Sequence, residues 1–268
     1  MTENFAKFLK TNEITFKYAK GMRDIQGSEF HLFNEMFFFM GNEAEFFSET
    51  IQTKITRGTL IIIPKEQFHQ FSTMEDESQY VRCVLQFKSI PELEQLIRLK
   101  IHDIRVFEAS EILCALFYKL INLFQKDITE YERNILLKAV FSEILVEIST
   151  EAVELFNSHP SVPPYIKKII KYISDNLEQS LSIDNIAKEF TISPSHLMHI
   201  FKNNMRTSLY HYIIEKKLIA VNHEIETGAP IMQAAYKYGF NDYPNFYRLY
   251  KKHFNMSPSK RVKDHLST

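Results

Sequence analysis

The stretch KYGFNDYPNFYRLYKKHFNMSP, residues 237–258, decides how the C-terminal part of this chain folds. Gly239 predicts a turn at positive φ, a conformation glycine enters without steric cost. Asn241 or Asp242 offers a side-chain oxygen as a helix N-cap, and Pro244 fits only the first turn of the helix that follows. Phe246, Leu249 and Tyr250 recur at spacings of three and four and make the buried stripe of that helix. Tyr243, Asn245, Tyr247, Arg248, Lys251 and Lys252 are left to face outward.

The same pattern occurs once before it. Ile166, Ile169, Ile170, Ile173 and Leu177 mark one amphipathic helix, and LSIDNIAKEFTISPSHLMHIFKNNM (181–205) follows it. That segment predicts a short helix over Ile183–Lys188, a turn at Phe190, Thr191 and Ile192, and a new helix capped by Ser193 with Pro194 at its first position. PIMQAAYKYGFNDYPNFYRLYKKHFNM (230–256) repeats the plan. It predicts a short helix over Ile231–Lys237, a turn at Tyr238, Gly239 and Phe240, and the helix from Tyr243. Ala187 and Ala234 or Ala235 leave room where the first helix crosses the second. Each unit is therefore a helix-turn-helix, whose second helix is shaped to lie in a DNA major groove. Ile214, Leu218, Val221 and Ile225 mark one connecting helix. About eighteen residues at 1.5 Å each span roughly 27 Å, close to the roughly 34 Å of one DNA turn, so the two second helices are spaced to enter successive grooves.

Charge agrees with this division. The 268 residues carry a net charge of −1, but from residue 163 onward Lys and Arg outnumber Asp and Glu by 15 to 9, whereas before it they trail by 17 to 24. A basic back joined to an acidic front points the back toward a polyanion. Apolar content of 45% with 24% charge is that of a globular chain. No run of eighteen apolar residues predicts a membrane span. MTENFAKFLKTNE lacks the basic start and apolar core of a secretory signal, and Cys83 and Cys114 form no framework, so a cytoplasmic location is expected.

The front of the chain reads differently. Residues 14–88 hold short β-branched and aromatic runs, EMFFFM (35–40), TLIIIP (59–64) and YVRCVLQF (80–87), punctuated at Gly41-Asn42, Arg57-Gly58 and Pro64. These predict an all-β barrel or sandwich. Residues 92–101 and roughly 109–157 read as helical, the latter with stripes at Leu113, Phe117, Leu120 and Phe124, then at Leu137, Phe141, Ile144, Leu145 and Ile148. NSHPSVPP (157–164) is a polar, proline-rich break. His196, His199, His211 and His223 are scattered along helices without metal spacing or an acidic partner set, and read as surface or capping residues.

Residues 166–261 resemble the double helix-turn-helix domain of the AraC/XylS family of transcription regulators. The resemblance rests on Ile231, Ala234-Ala235, Gly239-Phe240, Asp242, Asn245-Phe246, Arg248, Tyr250-Lys251-Lys252, Asn255 and Ser257-Pro258. In the first unit it rests on Leu181, Ile183, Ile186-Ala187, Ser193, Ser195, Leu197 and Phe201-Lys202. The chain departs from the family at Arg206 and Asn255, where the family has glycine, at Lys217 for an arginine, at Val221 for an alanine, and at Glu224-Ile225 for a Leu-Leu pair. The resemblance implies that Ser195, Met198 and His199 in the first unit, and Tyr243, Asn245, Tyr247 and Arg248 in the second, face DNA. Arg248 has the fork for guanine O6/N7 and Asn245 the amide for adenine N6/N7. Arg248 reads equally well as a phosphate clamp or as one side of an ion pair, and Tyr247 as a cover for the core. Lys202, Lys251 and Lys252 suit phosphates, which position without specifying.

His31, Phe33 and Glu35, followed by Gly41 and then GTLIIIPKEQFH (58–69), resemble the two motifs of a cupin barrel. Metal cupins use a His-x-His pair and a Glu from the first motif with a His from the second. Here Phe33 replaces the second histidine and Glu35 falls early, so no metal or other cofactor is expected. His31, Glu35 and His69 are instead expected at the mouth of a small-molecule site. Phe33, Phe37, Phe39, Phe68 and Phe71 are its candidate walls, although His69 also reads as a strand cap and the phenylalanines as core.

The expectation is an α+β multidomain chain: a cupin-like sensor barrel over 1–91, a helical dimerisation segment over 92–157, a linker over 158–164, and an all-α DNA-binding domain over 165–268 with units at 183–204 and 231–253. The implied partners are double-stranded DNA, RNA polymerase, a second copy of the chain and a small effector such as a sugar. A bacterial activator, not an enzyme, is implied. The competing expectations are a cupin enzyme with an appended helical module, or a regulator controlled by a partner protein.

Overall fold

The computed structural model describes residues 4–21, 30–73, 79–88, 104–151 and 162–266. They belong to two compact units, Met1–Ser161 and Val162–Thr268. The helix expected over 92–101 and residues 158–161 of the expected linker lie outside the described residues.

The first unit contains strands β1 (Phe5–Lys10), β2 (Ile14–Lys20), β3 (Asn34–Phe39), β4 (Glu43–Ser48), β5 (Gln52–Thr56), β6 (Thr59–Ile63), β7 (His69–Ser72), β8 (Val81–Phe87) and β9 (Arg105–Glu108). They form a six-stranded sheet in the order β1-β2-β8-β3-β6-β9 and a three-stranded sheet in the order β5-β4-β7. Strand β3 explains the layering. All six of its residues are buried, because alternate side chains leave the sheet on opposite faces. Met36 and Phe38 point into one core with Phe16, Leu60, Ile62, Leu85 and Phe87. Phe37 and Phe39 point into another with Phe46, Ile61, Ile63, Phe71, Tyr80 and Val84. The second core lies between the two sheets, and Phe37 stacks on Phe71 with ring centroids 3.8 Å apart.

The first core is closed by two helices, α1 (Glu111–Asn122) and α2 (Glu130–Glu151). Ser110 caps α1 by accepting the Leu113 N–H at 3.2 Å. Thr129 and Glu132 form a reciprocal capping box at the start of α2, with Oγ1 accepting the Glu132 N–H at 3.2 Å and the carboxylate accepting the Thr129 N–H at 2.8 Å. Both predicted stripes enter the same core as the sheet, with Phe117 stacked on Phe38 and Phe141 against Phe87.

Three expectations are corrected here. The sheets do not close into one barrel: among the described residues no ladder joins them, and β5 and β7 end the small sheet as β1 and β9 end the large one. Closure needs every edge strand to find a partner. Of the stretch expected to be helical over 109–157, residues 123–129 are a non-helical corner between α1 and α2, and 152–157 lie outside the described residues. Arg133 donates to the carbonyls of Leu123, Lys126 and Ile128 and holds the corner. Arg105–Glu108, which falls in the segment expected to be helical, is strand β9 paired antiparallel to β6.

The second unit is helical: α3 (Pro164–Asp175), α4 (Ile183–Glu189), α5 (Pro194–Met205), α6 (Leu209–Glu226), α7 (Ile231–Lys237), α8 (Tyr243–Phe254) and α9 (Pro258–Leu266). The turns after α4 and α7 are the same device. The Ile192 N–H reaches the Ala187 carbonyl and the Thr191 N–H that of Lys188, at 3.0 and 3.1 Å; Phe240 to Ala235 and Gly239 to Tyr236 repeat this at 3.0 and 2.9 Å. Bonds back five and three residues are a Schellman closure, which requires a left-handed residue after the cap. Gly239 takes it at φ 83° and Thr191 at φ 55°. The C-terminus of α5 closes through Arg206 at φ 55°, and α8 ends at Asn255 at φ 53°.

Candidate nucleic-acid interface

Helix α8 starts where its sequence dictates. The Asp242 carboxylate accepts the Asn245 N–H at 3.4 Å, and Pro244 lies in the first turn. Phe246 and Tyr250 are fully buried behind it, packed with Leu218, Val221, Ile225, Ala234, Ala235 and Phe240. Leu249, expected in the same stripe, is half-buried at its edge. The Tyr250 hydroxyl donates to the buried Asn222 Oδ1 at 2.6 Å, which ties α8 to the connecting helix α6. The opposite face carries the expected set: Tyr247, Arg248, Lys251 and Lys252 are exposed, with Tyr243 and Asn245 half-buried beside them. Arg248 Nη2 donates to Asn245 Oδ1 at 2.9 Å. This bond leaves the Asn245 amide hydrogens and the remaining guanidinium N–H groups available to an acceptor.

Helix α5 is built alike. Ser193 accepts the His196 N–H at 3.2 Å, and Leu197, Phe201 and Met205 are buried. Phe201 packs on Tyr212 of α6 with centroids 5.2 Å apart. Ser195, Met198, His199 and Lys202 are exposed, and Asn203 shares a 2.9 Å hydrogen bond with His199 Nε2.

The family departures at Lys217 and Glu224 sit where α6 meets the turn after α3 and helix α7, within the C-terminal unit. Lys217 is buried and donates to the Gln179 carbonyl at 3.2 Å, with burial pulling its pKa down. Lys237 bridges Glu224 at 2.6 Å and Glu178 at 3.2 Å. The turn after α3 is thus clamped to α6 and α7, a role invisible in the helical periodicity. His211 is exposed, as expected, and pairs at 3.1 Å with Glu215, which is buried on α6.

In the first unit the structure brings His31, Glu35 and His69 together, although 38 positions separate the two histidines. Glu35 Oε2 lies 3.5 Å from His31 Nε2, and Oε1 lies 3.9 Å from His69 Nε2. Each imidazole is anchored through Nδ1, His31 to the Phe33 carbonyl at 2.8 Å and His69 to that of Gln67 at 3.0 Å. Phe33 stacks on His31 at 4.1 Å. Burial holds both imidazoles down, to about 4, and pushes the Glu35 carboxyl up. A cavity of about 30 Å³ beside Glu35 is lined by Lys17, Phe37, Phe71, Arg82, Val84 and Gln86. Phe39 and Phe68 are buried. Lys17, Arg82 and Gln86 escaped the sequence reading. The available signal was Arg82 and Gln86 flanking Val84 at period two on an otherwise apolar strand.

Two Schellman-closed helix-turn-helix units on one connecting helix are the architecture of a DNA-binding protein. The helix-turn-helix domain family matches residues 186–263. Over 96 residues, 35% of this chain and 76% of the other, the chain is 32% identical to the multiple antibiotic resistance protein MarA of Escherichia coli (strain K12). It is likewise 32% identical over 98 residues, 35% of this chain and 80% of the other, to the probable transcription factor PqrA of Proteus vulgaris. Among solved structures, ToxT from Vibrio cholerae O395 aligns over 96% of this chain and all of the other, at 14% identity and a TM-score of 0.41. The chain belongs to the AraC/XylS family of DNA-binding transcription regulators. Among the described residues no helix is long and apolar enough to cross a membrane.

Proposed function

We propose that α5 and α8 enter successive major grooves on one face of DNA and that α8 carries most of the sequence discrimination. The observation that supports this is the exposed Arg248–Asn245 pair, backed by a fully buried Phe246 and Tyr250. Arg248 reads guanine and Asn245 adenine, each good bidentate pair contributing about 1–3 kcal/mol of discrimination. Ser195 and His199 supply weaker polar contacts, Met198 an apolar one to a thymine methyl, and Tyr243 and Tyr247 flank the reading pair. Lys202, Lys251 and Lys252 engage phosphates. The test is the affinity of Arg248→Ala and Asn245→Ala for a selected duplex against a scrambled one. Both variants are expected to narrow the ratio between the two; an unchanged ratio rules out this assignment.

The N-terminal sheets, with the cupin-like motif residues His31, Phe33, Glu35, Phe37 and His69, take a small effector in this reading. Small-molecule sites usually enclose about 300–1,000 Å³. The cavity beside Glu35, about 30 Å³, has room for water or an ion and none for a sugar. Residues 1–91 with β9 form the sensor, 158–164 the linker and 165–268 the DNA-binding domain. Both apolar stripes of α1 and α2 are spent on the sheet. A homodimer therefore pairs through their outer faces, where Ile112, Tyr118, Tyr131, Ile135 and Val146 are exposed. RNA polymerase is the partner that activation requires.

A further inference from the structure

We propose that His31, Glu35 and His69 bind one divalent transition-metal ion, of the zinc or ferrous class, inside the N-terminal unit. Each residue presents one ligand atom, and these atoms lie within 4.8 Å of one another. Ligands held 2.0–2.1 Å from a tetrahedral ion stand about 3.3 Å apart. Glu35 Oε2 stands 3.5 Å from His31 Nε2, close to that value, and the other carboxylate oxygen, Oε1, stands 3.9 Å from His69 Nε2.

The tautomers are the ones a metal needs. With Nδ1–H donated to a backbone carbonyl in each ring, Nε2 keeps its lone pair, and this outer hydrogen bond is the usual support of a metal-ligating histidine. His31 Nε2 is buried and makes no hydrogen bond, a state that an added partner would relieve. The two segments are also held in place beforehand. The Glu66 N–H donates to the His31 carbonyl at 2.8 Å and the Lys65 N–H to Asn34 Oδ1 at 3.1 Å, which clamps the loop before β7 onto the start of β3. Phe33 stands where the cupin pattern has a further histidine, and it acts as a plate against His31. Two imidazoles and a carboxylate with an open position suit zinc or non-haem iron better than magnesium or calcium, which prefer all-oxygen shells. Gln86 donates to Glu35 Oε2 at 3.0 Å and orients the carboxylate. Lys17 and Arg82 oppose a cation electrostatically from the cavity wall, but the Arg82 guanidinium is bonded to the Gly21 carbonyl at 2.7 Å.

This inference deepens the sensor reading and rests on it only for the consequence that the ion acts on DNA binding. The test uses the full chain stripped with a chelator and titrated by calorimetry with zinc(II), then with cobalt(II) while its visible spectrum is followed. One equivalent is expected to bind with a Kd in the micromolar range or tighter, and cobalt to show a low-coordinate imidazole–carboxylate spectrum. His31→Gln, His69→Gln and Glu35→Gln should each weaken binding by more than the ~10–100-fold that loss of an outer-shell partner costs, whereas His196→Gln should not. Circular dichroism of every variant separates lost ligation from lost folding. Failure of the wild-type chain to bind, or wild-type affinity in folded His31→Gln and His69→Gln, overturns the proposal. The same samples are titrated with DNA. Stoichiometric metal binding with unchanged DNA affinity leaves the site standing and removes its role as effector, and absent metal binding with specific DNA binding removes the site and leaves the regulator intact.

Discussion

Thr191→Gly should stabilise the C-terminal unit. Thr191 and Gly239 occupy equivalent corners of the two helix-turn-helix units, make the same pair of backbone hydrogen bonds and share the left-handed conformation, at φ 55° and 83°. A residue with a Cβ loses about 1–2 kcal/mol there, and threonine, branched at Cβ, is among the least suited. Glycine removes that strain but gives up about 0.5–1 kcal/mol of chain entropy, which leaves a net gain of about 0.5–1 kcal/mol. For a unit of about a hundred residues, this raises Tm by about 2–8 °C. The reciprocal Gly239→Thr takes on the same strain, and its Cβ would stand 3.3 Å from Lys217 Nζ, so Tm should fall by several degrees. Differential scanning calorimetry of the full chain, following the C-terminal transition, reads both. A Thr191→Gly midpoint at or below wild type would show that the corner is not strained, and the matched-turn argument would fail. The exposed face of α5 is untouched by the substitution, so DNA affinity should not change.

Other outcomes follow from the same interactions. Arg206→Gly relieves the left-handed closure of α5 in the same way, and calorimetry should show a gain of about 0.5–1 kcal/mol. Tyr250→Phe strips the 2.6 Å partner from the buried Asn222 and should cost about 1–3 kcal/mol in urea denaturation, with DNA affinity falling only as the unit unfolds. Lys251→Ala and Lys252→Ala should weaken binding to all duplexes alike and reduce the salt slope by about one each, while Arg248→Ala relaxes preference at one base pair; nuclease footprints and filter-binding titrations distinguish the two patterns.

The C-terminal unit was largely legible in sequence because its determinants are local. Ser193, Asp242, Pro194, Pro244 and Gly239 announce caps and a turn within a few residues of where they act, and the spacing of Leu218, Val221 and Ile225 shows which face of α6 is buried. Thr191 was the exception: nothing in its type announces a left-handed residue, and only its position opposite Gly239 in the repeat does. The N-terminal unit depends on distant pairing. FAKFLK lacks alternation because β1 is an edge strand with three consecutive exposed residues, and RVFE becomes β9 only because β6 offers a free edge. Whether strands close into a barrel or stay as two sheets is decided by partners far along the chain, so the sequence left barrel and sandwich as alternatives and the two sheets settle it for the open form. The meeting of His31 with His69 required backbone bonds between segments more than thirty residues apart.

The central claim is that two reading helices on one connector bind DNA by sequence. The most direct test selects duplexes from a random pool with the full chain and titrates the enriched duplex against its scrambled counterpart at several salt concentrations. The enriched duplexes should carry two conserved clusters about one helical turn apart, bind more tightly than their scrambled counterparts, and show a log–log salt slope near −0.9 per neutralised phosphate. An unenriched pool, or equal affinity for both duplexes at every salt concentration, would contradict that claim.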